Sequence, residues 1–283
     1  MSLCEFAYDR DVSQNDPRNA PGNDPSNDLQ RIIDFRISFA RRQAGEVREV
    51  PGGFLVLHRE YERSHEHNQL HITGPADPEG LPELADEVMA FLPHRRITVH
   101  DDALGLISVP ALQQAGYTHV TEVLMVHTGP VPEAGAADVV ERELGPDPHG
   151  LLRRAVTAQQ WRWMPDADEK TVHDLVERRT ARRAGAEEVL FLAAHDDSGE
   201  IASWADLYLE PAAGVAQIEE VATAEPYLRR GYADSVLAGA LRRAAAAGCA
   251  LRFLVADQDD WPLRWYGRRG FRAVGRVHSF SRF

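Results

Sequence analysis

The sequence is poor in the features that would indicate a disulfide-linked or membrane-spanning protein. It has only two cysteines in 283 residues, Cys4 and Cys249, which are too few for a disulfide framework. No apolar run reaches the length that spans a bilayer, and the first ten residues carry Glu5 and Asp9 where a secretory leader would be basic and then apolar. We therefore expect a cytoplasmic protein with no membrane partner.

Positive charge is also scarce, and it is unevenly distributed. The net charge is −13, which argues against nucleic acid as a partner because phosphate binding needs clustered positive charge. From Leu228 to the end, however, there are eleven arginines, four aspartates and neither lysine nor glutamate. We expect an anionic ligand to bind in this basic part. The acidic remainder favours an amine partner, although an acidic surface that only maintains solubility is equally common.

Several histidines and carboxylates lie close together in the first half, between His58 and Asp102. Metal sites usually show a His-x-x-x-His pair on a helix or a Cys-x-x-Cys pair, and neither is present. We therefore predict no metal site.

A short segment in the second half predicts a strand, a basic glycine turn and the start of a helix. Glu219 to Thr223 form the strand, Arg229 to Gly231 form the turn, and apolar residues recur at helical spacing from Val236. The unpaired amide groups and the dipole of a helix start favour an anion, and Gly231 lets the chain curl closely around it. The turn predicts a pyrophosphate-binding site, and its alternative is a basic helix start at the surface.

The residues that follow predict a buried strand and then a short helix. Leu251 to Ala256 form an apolar run, Asp260 is a suitable N-cap, and Pro262 fits the first helical turn. The helix ends near Gly267, and strand-like residues continue from Arg272 to the last residue.

The order and spacing of these motifs resemble the GNAT superfamily of acyl-CoA-dependent N-acyltransferases. The resemblance covers residues 187–283 and depends on the strand end at Val221 to Thr223, the turn at Leu228 to Ala233 and the helix end at Tyr266 to Phe271. It implies an α/β (α+β) fold with a mixed, mostly antiparallel sheet flanked by helices, and acetyl-CoA as the acyl donor. Leu228 departs from the family, which usually has arginine or glutamine there. Arg229 or Arg230 would supply the missing charge.

The resemblance also implies which residues bind the donor. Asp259 stands where the family commonly has an asparagine near the pantetheine arm, and a helix-capping role is its alternative. The predicted donor-binding residues are Val221, Ala222, Thr223, Leu228, Arg229, Arg230, Gly231, Tyr232, Ala233, Asp234 and Asp259.

Acyl transfer from a thioester to an amine needs a neutral amine, a hydrogen-bond donor for the carbonyl oxygen and a proton for the departing thiolate. The resemblance implies that Tyr266 gives this proton, its alternative being a core aromatic. Glu219 and Glu220 are the candidate bases. Because side chains alternate across a strand, we expect them on opposite faces of the sheet and favour Glu219, acting through water. An ordinary ion-paired strand carboxylate is the alternative for either.

The first half repeats the order of elements without the residues of the donor site. The aligned segments are 69–72 with 217–220, 97–101 with 253–257, and 112–117 with 266–271. The loop from Thr73 to Asp77 has no arginine, and Leu112 stands in the place of Tyr266. We therefore predict two GNAT-like units in tandem, of which the N-terminal one is degenerate. Chance similarity between two α/β halves is the alternative.

The predicted domains follow from this repeat. Residues 1–28 form a loosely ordered tail, residues 29–130 the degenerate unit and residues 131–283 the acetyltransferase domain, with a Pro- and Gly-rich linker at 129–135.

These features together predict an acyl-CoA-dependent N-acyltransferase that transfers acetyl directly to a primary amine of a small molecule. An acetyltransferase of protein N-termini or lysines, and a coenzyme A-binding sensor without turnover, are the alternatives. The acceptor, the acyl length and the existence of a homodimer are left open by the sequence.

Overall fold

Strands and helices alternate along most of the chain. The computed structural model describes residues 25–133, 140–144 and 150–283. The first half contains α1 (Pro25–Gln43), β1 (Glu46–Val50), β2 (Gly53–Leu57), β3 (Gln69–Ile72), α2 (Leu81–Val88), β4 (Arg95–Val99), α3 (Asp102–Gln114) and β5 (Thr118–His127). The second half contains β6 (Val140–Leu144), α4 (Leu151–Trp163), α5 (Glu169–Glu177), α6 (Arg179–Arg182), β7 (Glu188–His195), β8 (Ile201–Glu210), β9 (Val215–Thr223), α7 (Tyr232–Ala246), β10 (Leu251–Asp257), α8 (Trp261–Gly267) and β11 (Phe271–Arg282).

All of these strands belong to one sheet, in the order β1-β2-β3-β4-β11-β5-β10-β9-β8-β7-β6. Neighbouring strands are antiparallel except for two pairs, β3 with β4 and β9 with β10, which are parallel. The predicted α/β fold with a mixed, mostly antiparallel sheet is therefore confirmed. It differs from the prediction in one respect, because the two halves share a single sheet.

The two halves exchange their last strands at the centre of this sheet. Strand β11 of the second half lies between β4 and β5, and β5 of the first half lies between β11 and β10. The β5–β11 pair is the longest in the sheet and runs from Phe271 opposite His127 to Ser281 opposite Thr118. Because each half needs the other half's strand to complete its ladder, the halves are joined through backbone hydrogen bonds.

Helices cover both faces of the sheet. On one face, α7 and α8 cover a core that includes Leu207, Ile218 and Leu254, while α2 and α3 cover a second core around Leu70 and Ile97. On the other face, α1 packs Ile32, Phe35 and Phe39 against the centre of the sheet, and α4 and α5 pack against β7 and β8. Three layers result, and the helices of the second face lie over the junction of the two halves.

The predicted strands and helices occur close to their expected places, and β7 and β8 form the predicted hairpin. Helix α1 is the main element that the prediction missed, although Ile32, Phe35, Phe39 and Ala40 recur at the spacing of one helix face. Of the predicted tail, residues 1–24 lie outside the described residues, while Pro25 already begins α1. Residues 134–139, which include the end of the predicted linker, also lie outside.

The repeat of the two halves is visible in the sheet, with a correction of one residue in one alignment. Gly116 and Gly270 both have positive φ, 86° and 85°, at the aligned helix ends. Ile97, however, faces α2 and α3, whereas Phe253 faces α1. Leu254, which faces α7, is therefore the structural counterpart of Ile97.

Candidate active site

The parallel strands β9 and β10 separate partway along their length. Their pairing covers only Val215–Gln217 on β9 and Leu251–Phe253 on β10. Beyond this point β9 continues to Thr223 beside β8, and β10 continues to Asp257 beside β5. A wedge-shaped opening between two parallel strands results, and the backbone of Val221 to Thr223 borders it.

A β-bulge shapes this border. The register of β9 against β8 shifts between the pair Asp206–Glu219 and the pair Trp204–Ala222, and Glu220 within the bulge has a φ of 49°. Because the extra residue interrupts the alternation of side chains, Glu220 does not point away from Glu219. Both carboxylates lie on the face covered by α6. The prediction that they occupy opposite faces is therefore wrong.

Glu220 is held by three arginines of the α5–α6 segment. Its carboxylate accepts hydrogen bonds from Arg178 at 2.8 Å, Arg179 at 2.5 Å and Arg182 at 2.7 Å. Attraction to Arg179 and Arg182 outweighs the burial penalty and keeps the pKa of Glu220 well below its ordinary value. A carboxylate so paired is a poor proton acceptor at neutral pH.

Glu219 lies beside this ion-pair cluster without joining it. Its carboxylate accepts a hydrogen bond from the side chain of Gln217. Burial raises the pKa of Glu219 to about 7, and attraction to Arg182 offsets part of this rise. A carboxylate that titrates near neutrality suits a general base.

On the α7 side of the sheet, the wedge opens into a cleft of about 930 Å³. The turn before α7 contains Arg229 at φ 63° and Gly231 at φ 84°, and Gly231 is the N-cap of the helix. Among the described residues, apart from its chain neighbours and the backbone of its own helix, no group lies within 4 Å of the position that a Cβ of Gly231 would occupy, so the turn faces open space. The amide groups of the first turn, which have no acceptor inside a helix, lie at this cleft.

Most of the predicted donor-binding residues lie together along this cleft. Those that line it are Val221, Ala222, Thr223, Leu228, Arg229, Gly231, Tyr232, Ala233 and Asp234. Arg230 does not line it and instead lies over the ring of Tyr227, 5.9 Å from the ring centroid. Asp259 does not line it either, and the neighbouring Asp260 both lines the cleft and caps α8. Trp163, Trp261 and Trp265 add an aromatic rim that the donor-site prediction did not include.

Tyr266 lies at the inner end of the cleft, on α8. Its side chain is 8% exposed, and its ring packs edge-on against Trp265 and Phe271. Burial, together with the nearby charge of Glu219, raises the pKa of Tyr266. The phenol therefore stays protonated at neutral pH and is able to donate a proton.

A second cavity, of about 650 Å³, lies on the opposite face of the sheet. Residues of β8, β9, β10 and the α5–α6 segment line it from the second half, among them Tyr208, Gln217, Glu219 and Arg178. Helix α1 and strands and loops of the first half form the other walls. Residues that the sequence did not assign to the site include Arg36, Arg63, His71, Arg96, His100 and Glu122. The alignment of His71 with Glu219 could have indicated this cavity, because residues at equivalent positions of two aligned strands in one sheet face the same side.

The histidines of this cavity are neutral at physiological pH. Burial lowers the pKa of His65 to about 4 and of His100 to about 3, and it also lowers the pKa of His71 and His94. Within the described ranges, no group of three histidine, cysteine or acidic side chains is arranged to hold a metal ion. In the same part of the chain, no helix is long and apolar enough to cross a membrane.

The fold and the cleft define a mixed α/β protein with an anion-binding helix start beside an opened pair of parallel strands. Residues 154–271 match the model of the acetyltransferase (GNAT) family. Residues 154–271 therefore form a GNAT acetyltransferase domain, and the protein is a transferase.

Solved structures with the same fold extend over both halves. A GCN5-related N-acetyltransferase from Kribbella flavida is 17% identical, with 89% of this chain and 95% of that chain covered at a TM-score of 0.61. A conserved protein of unknown function from Staphylococcus epidermidis is 14% identical, with 84% and 94% covered at a TM-score of 0.63. A GCN5-related N-acetyltransferase from Sphaerobacter thermophilus is 21% identical, with 82% and 76% covered at a TM-score of 0.50. No curated protein matches the sequence significantly.

Proposed function

We propose that the protein transfers the acetyl group of acetyl-CoA directly to the primary amine of a small molecule. The observation that carries this proposal is that two cavities border the wedge between β9 and β10, one on each face of the sheet. The cleft with the helix start and Tyr266 opens on one face, and the cavity with Glu219 opens on the other. A donor and an acceptor would therefore approach the wedge from opposite sides.

The residues of the cleft fit an acyl-CoA. The amide groups at the start of α7 and the side chain of Arg229 would bind the pyrophosphate, because they present donors and positive charge to open space. The exposed backbone of Val221 to Thr223 would pair with the pantetheine arm. Leu228 is 49% exposed at the cleft and contributes no charge, so the binding of the pyrophosphate relies on the backbone and Arg229.

Each of the two proton transfers then has a candidate residue. The donor supplies an activated thioester carbonyl at the wedge. Glu219 would take the proton of the attacking amine, directly or through water, because its pKa lies near neutrality. Tyr266 would give its phenolic proton to the departing sulfur. Glu220 would keep the bulge in place through its three arginines and would take no part in proton transfer.

The walls of the acceptor cavity support a small substrate over a peptide. Helix α1 roofs the cavity with Phe39 and Ala40, and the strands of the first half close one side. A volume of about 650 Å³ lies within the range of small-molecule pockets.

A screen of amines and peptides with acetyl-CoA, monitored by the release of free thiol, tests the proposal. We expect turnover with a subset of small primary amines and none with lysine-containing peptides of ten residues. Turnover with the peptides alone would instead support a protein acetyltransferase. Binding of coenzyme A without any thiol release would support a sensor.

A further inference from the structure

One wall of the acceptor cavity carries more arginine than its neighbouring carboxylates neutralise. Arg36 of α1 donates to Glu122 at 3.0 Å, and Arg96 of β4 lies 3.5 Å from the other oxygen of the same carboxylate. Arg63 also lines the cavity, and among the described residues no carboxylate lies within 4.0 Å of its side chain. A single glutamate thus pairs with two guanidinium groups, while the third, Arg63, lies near Asp174, which accepts its backbone amide, and near Asp168, whose pKa it helps to lower.

The other acidic groups of the cavity do not remove this excess. Asp257 lies opposite Glu122 across the strand pair, but it is exposed at the rim, where its carboxylate accepts the amide of Asp259. Glu66 is already paired with Arg178 at 3.2 Å and Arg182 at 2.7 Å. Arg36 and Arg96 together therefore exceed Glu122 by about one positive charge.

The same arginines present unused hydrogen-bond donors. The Nη1 of Arg36 and the Nε atoms of Arg63 and Arg96 are buried, and they have no hydrogen-bond partner in the described part of the chain. A buried donor without an acceptor is costly, and buried guanidinium groups are normally satisfied by carboxylate or phosphate oxygens. The histidines around them, His71 and His100, are neutral, so they leave the net charge of the wall unchanged.

From this wall we infer that the acceptor is an amino acid-type molecule, a primary amine that carries a carboxylate. The carboxylate would bind between Arg36 and Arg96, and the amine would lie at Glu219. A monoanion fits better than a phosphate dianion because only about one positive charge is unmatched. Arg36, Arg96 and Glu219 line the same cavity, so both ends of a short molecule would bind within it. This inference rests on the proposed N-acetyltransferase activity and specifies its substrate.

The test compares amino acids with their own carboxamides as acceptors. Glycine, leucine and 4-aminobutanoate are each paired with the amide that lacks the negative charge, and thiol release from acetyl-CoA gives kcat/KM for both members. We expect the acid to exceed the amide by at least about tenfold for the preferred skeleton, because a charge-assisted guanidinium–carboxylate contact has about that effect. The amine of the amide is less basic than that of the acid, so a larger fraction of it is neutral and reactive at neutral pH. Intrinsic reactivity therefore favours the amide, which is opposite to the expected result.

Variants of Arg36 and Arg96 test whether the preference for the acid over the amide comes from these two arginines. In Arg36→Gln and in Arg96→Gln, the acid-to-amide ratio should fall to about one, mainly through a higher KM for the acid. Arg59→Gln is the matched control, because this arginine is 90% exposed and lies outside the cavity. Its ratio should stay at the wild-type value. Two variants on different elements guard against a folding defect in either one.

Calorimetry with the same amino acids, without acetyl-CoA, separates failure of this inference from failure of the proposed function. If thiol release gives the same kcat/KM for acids and amides, and the ratio is unchanged in both arginine variants, the inference is wrong and the acetyltransferase activity still holds. Binding of amino acids that depends on Arg36, without any thiol release, would retain the anion site and overturn the proposed function. If neither binding nor turnover depends on the carboxylate, the inference is wrong.

Discussion

The two halves of the sheet contain the same parallel strand pair in two different states. In the first half, β3 and β4 stay paired to their ends, and the amide of His100 closes the pair by donating to Ile72 at 3.0 Å. In the second half, the pairing of β9 and β10 stops after Gln217 and Phe253. The closed pair leaves no room for a pantetheine arm, whereas the open pair has an accessible backbone edge.

The loops that follow the two strands differ in the same way. After β3, the amides of Thr73 and Gly74 both donate to the carbonyl of Gly52, at 2.9 Å and 3.0 Å. After β9, the chain turns at Gly231 and directs the start of α7 at an open cleft. Backbone donors are consumed internally in one half and left available for an anion in the other.

The comparison explains how the protein uses its first half. The aligned residues His71 and Glu219 both line the acceptor cavity, one from each half. The first half, which lacks the basic turn and the tyrosine of the cleft, supplies residues of α1, β3, β4 and β5 to the cavity that Glu219 lines. The strand exchange contributes to this arrangement, because it places β5 of the first half beside β10, and Val120 and Glu122 of β5 line the cavity.

The tyrosine that the second half has and the first half lacks gives the largest predicted effect. Tyr266→Phe should lower kcat by about 10²–10³-fold, the range of a lost general acid, while the affinity for coenzyme A changes less than about twofold. Tyr117→Phe in the first half is the matched control, because its buried hydroxyl has no partner among the described residues. Stopped assays of thiol release give kcat, and unchanged turnover in Tyr266→Phe would remove this residue from the mechanism.

The glycine turn gives the next largest effect. Gly231→Glu should weaken coenzyme A binding by about a hundredfold or more, because a carboxylate would project into the path of the pyrophosphate from a backbone at φ 84°. Gly248→Glu is the control for backbone strain, since Gly248 has a φ of 82° and equally open surroundings at the other end of α7. Calorimetry should show near wild-type affinity for Gly248→Glu. Equal losses in both variants would mean that strain, and not the position of the turn, is responsible.

The pH dependence of activity tests the base. Glu219 must be ionised to accept a proton, so kcat/KM, expressed per concentration of neutral amine, should fall about tenfold per pH unit below its pKa of about 7. In Glu219→Gln this limb should disappear, and the remaining activity should be low and independent of pH between 5 and 7, a window set by that pKa and the ordinary glutamate value. A wild-type profile that stays flat through this range, with an acceptor whose own amine does not titrate there, would exclude Glu219 as the base.

The sequence allowed prediction of the elements whose signals are local. The strand, glycine turn and helix from Glu219 to Ala233 were readable because turn chemistry and helical spacing act within a few residues. Asp260 as the cap of α8 was readable for the same reason. The donor-binding assignments fall on one cleft in all but two positions, Arg230 and Asp259.

What the sequence did not reveal depends on contacts between distant segments. Strand exchange is set by pairing of β11 with β4 and β5, whose paired residues lie between 144 and 187 positions away in the sequence, and no local pattern encodes it. Glu220 in the bulge is held by three arginines of the α5–α6 segment, which is distant in sequence. Without these contacts, the regular alternation of side chains along a strand predicted that Glu219 and Glu220 lie on opposite faces. The acceptor cavity was missed because its walls come from both halves and from α1.

Substitution of Glu220, the neighbour of Glu219, should give the smallest change in activity. It distinguishes a structural role from a catalytic role on the same strand. Glu220→Gln should lower the free energy of unfolding by about 1–3 kcal/mol at pH 7, because it removes a partner of Arg178, Arg179 and Arg182. The folded-state pKa of Glu220 is lowered, so this difference is fully present above the ordinary glutamate pKa and shrinks as the pH falls below it.

Activity of the same variant should keep the wild-type pH limb, moved slightly to lower pH because a negative charge beside Glu219 is gone. Glu200→Gln is the control, since this carboxylate is exposed and 3.9 Å from Arg154, a pair that contributes at most about 1 kcal/mol. Denaturant unfolding and pH–rate profiles measure the two properties separately. Loss of the pH limb in Glu220→Gln, with the limb retained in Glu219→Gln, would exchange the roles of the two residues and place proton transfer within the ion-pair cluster.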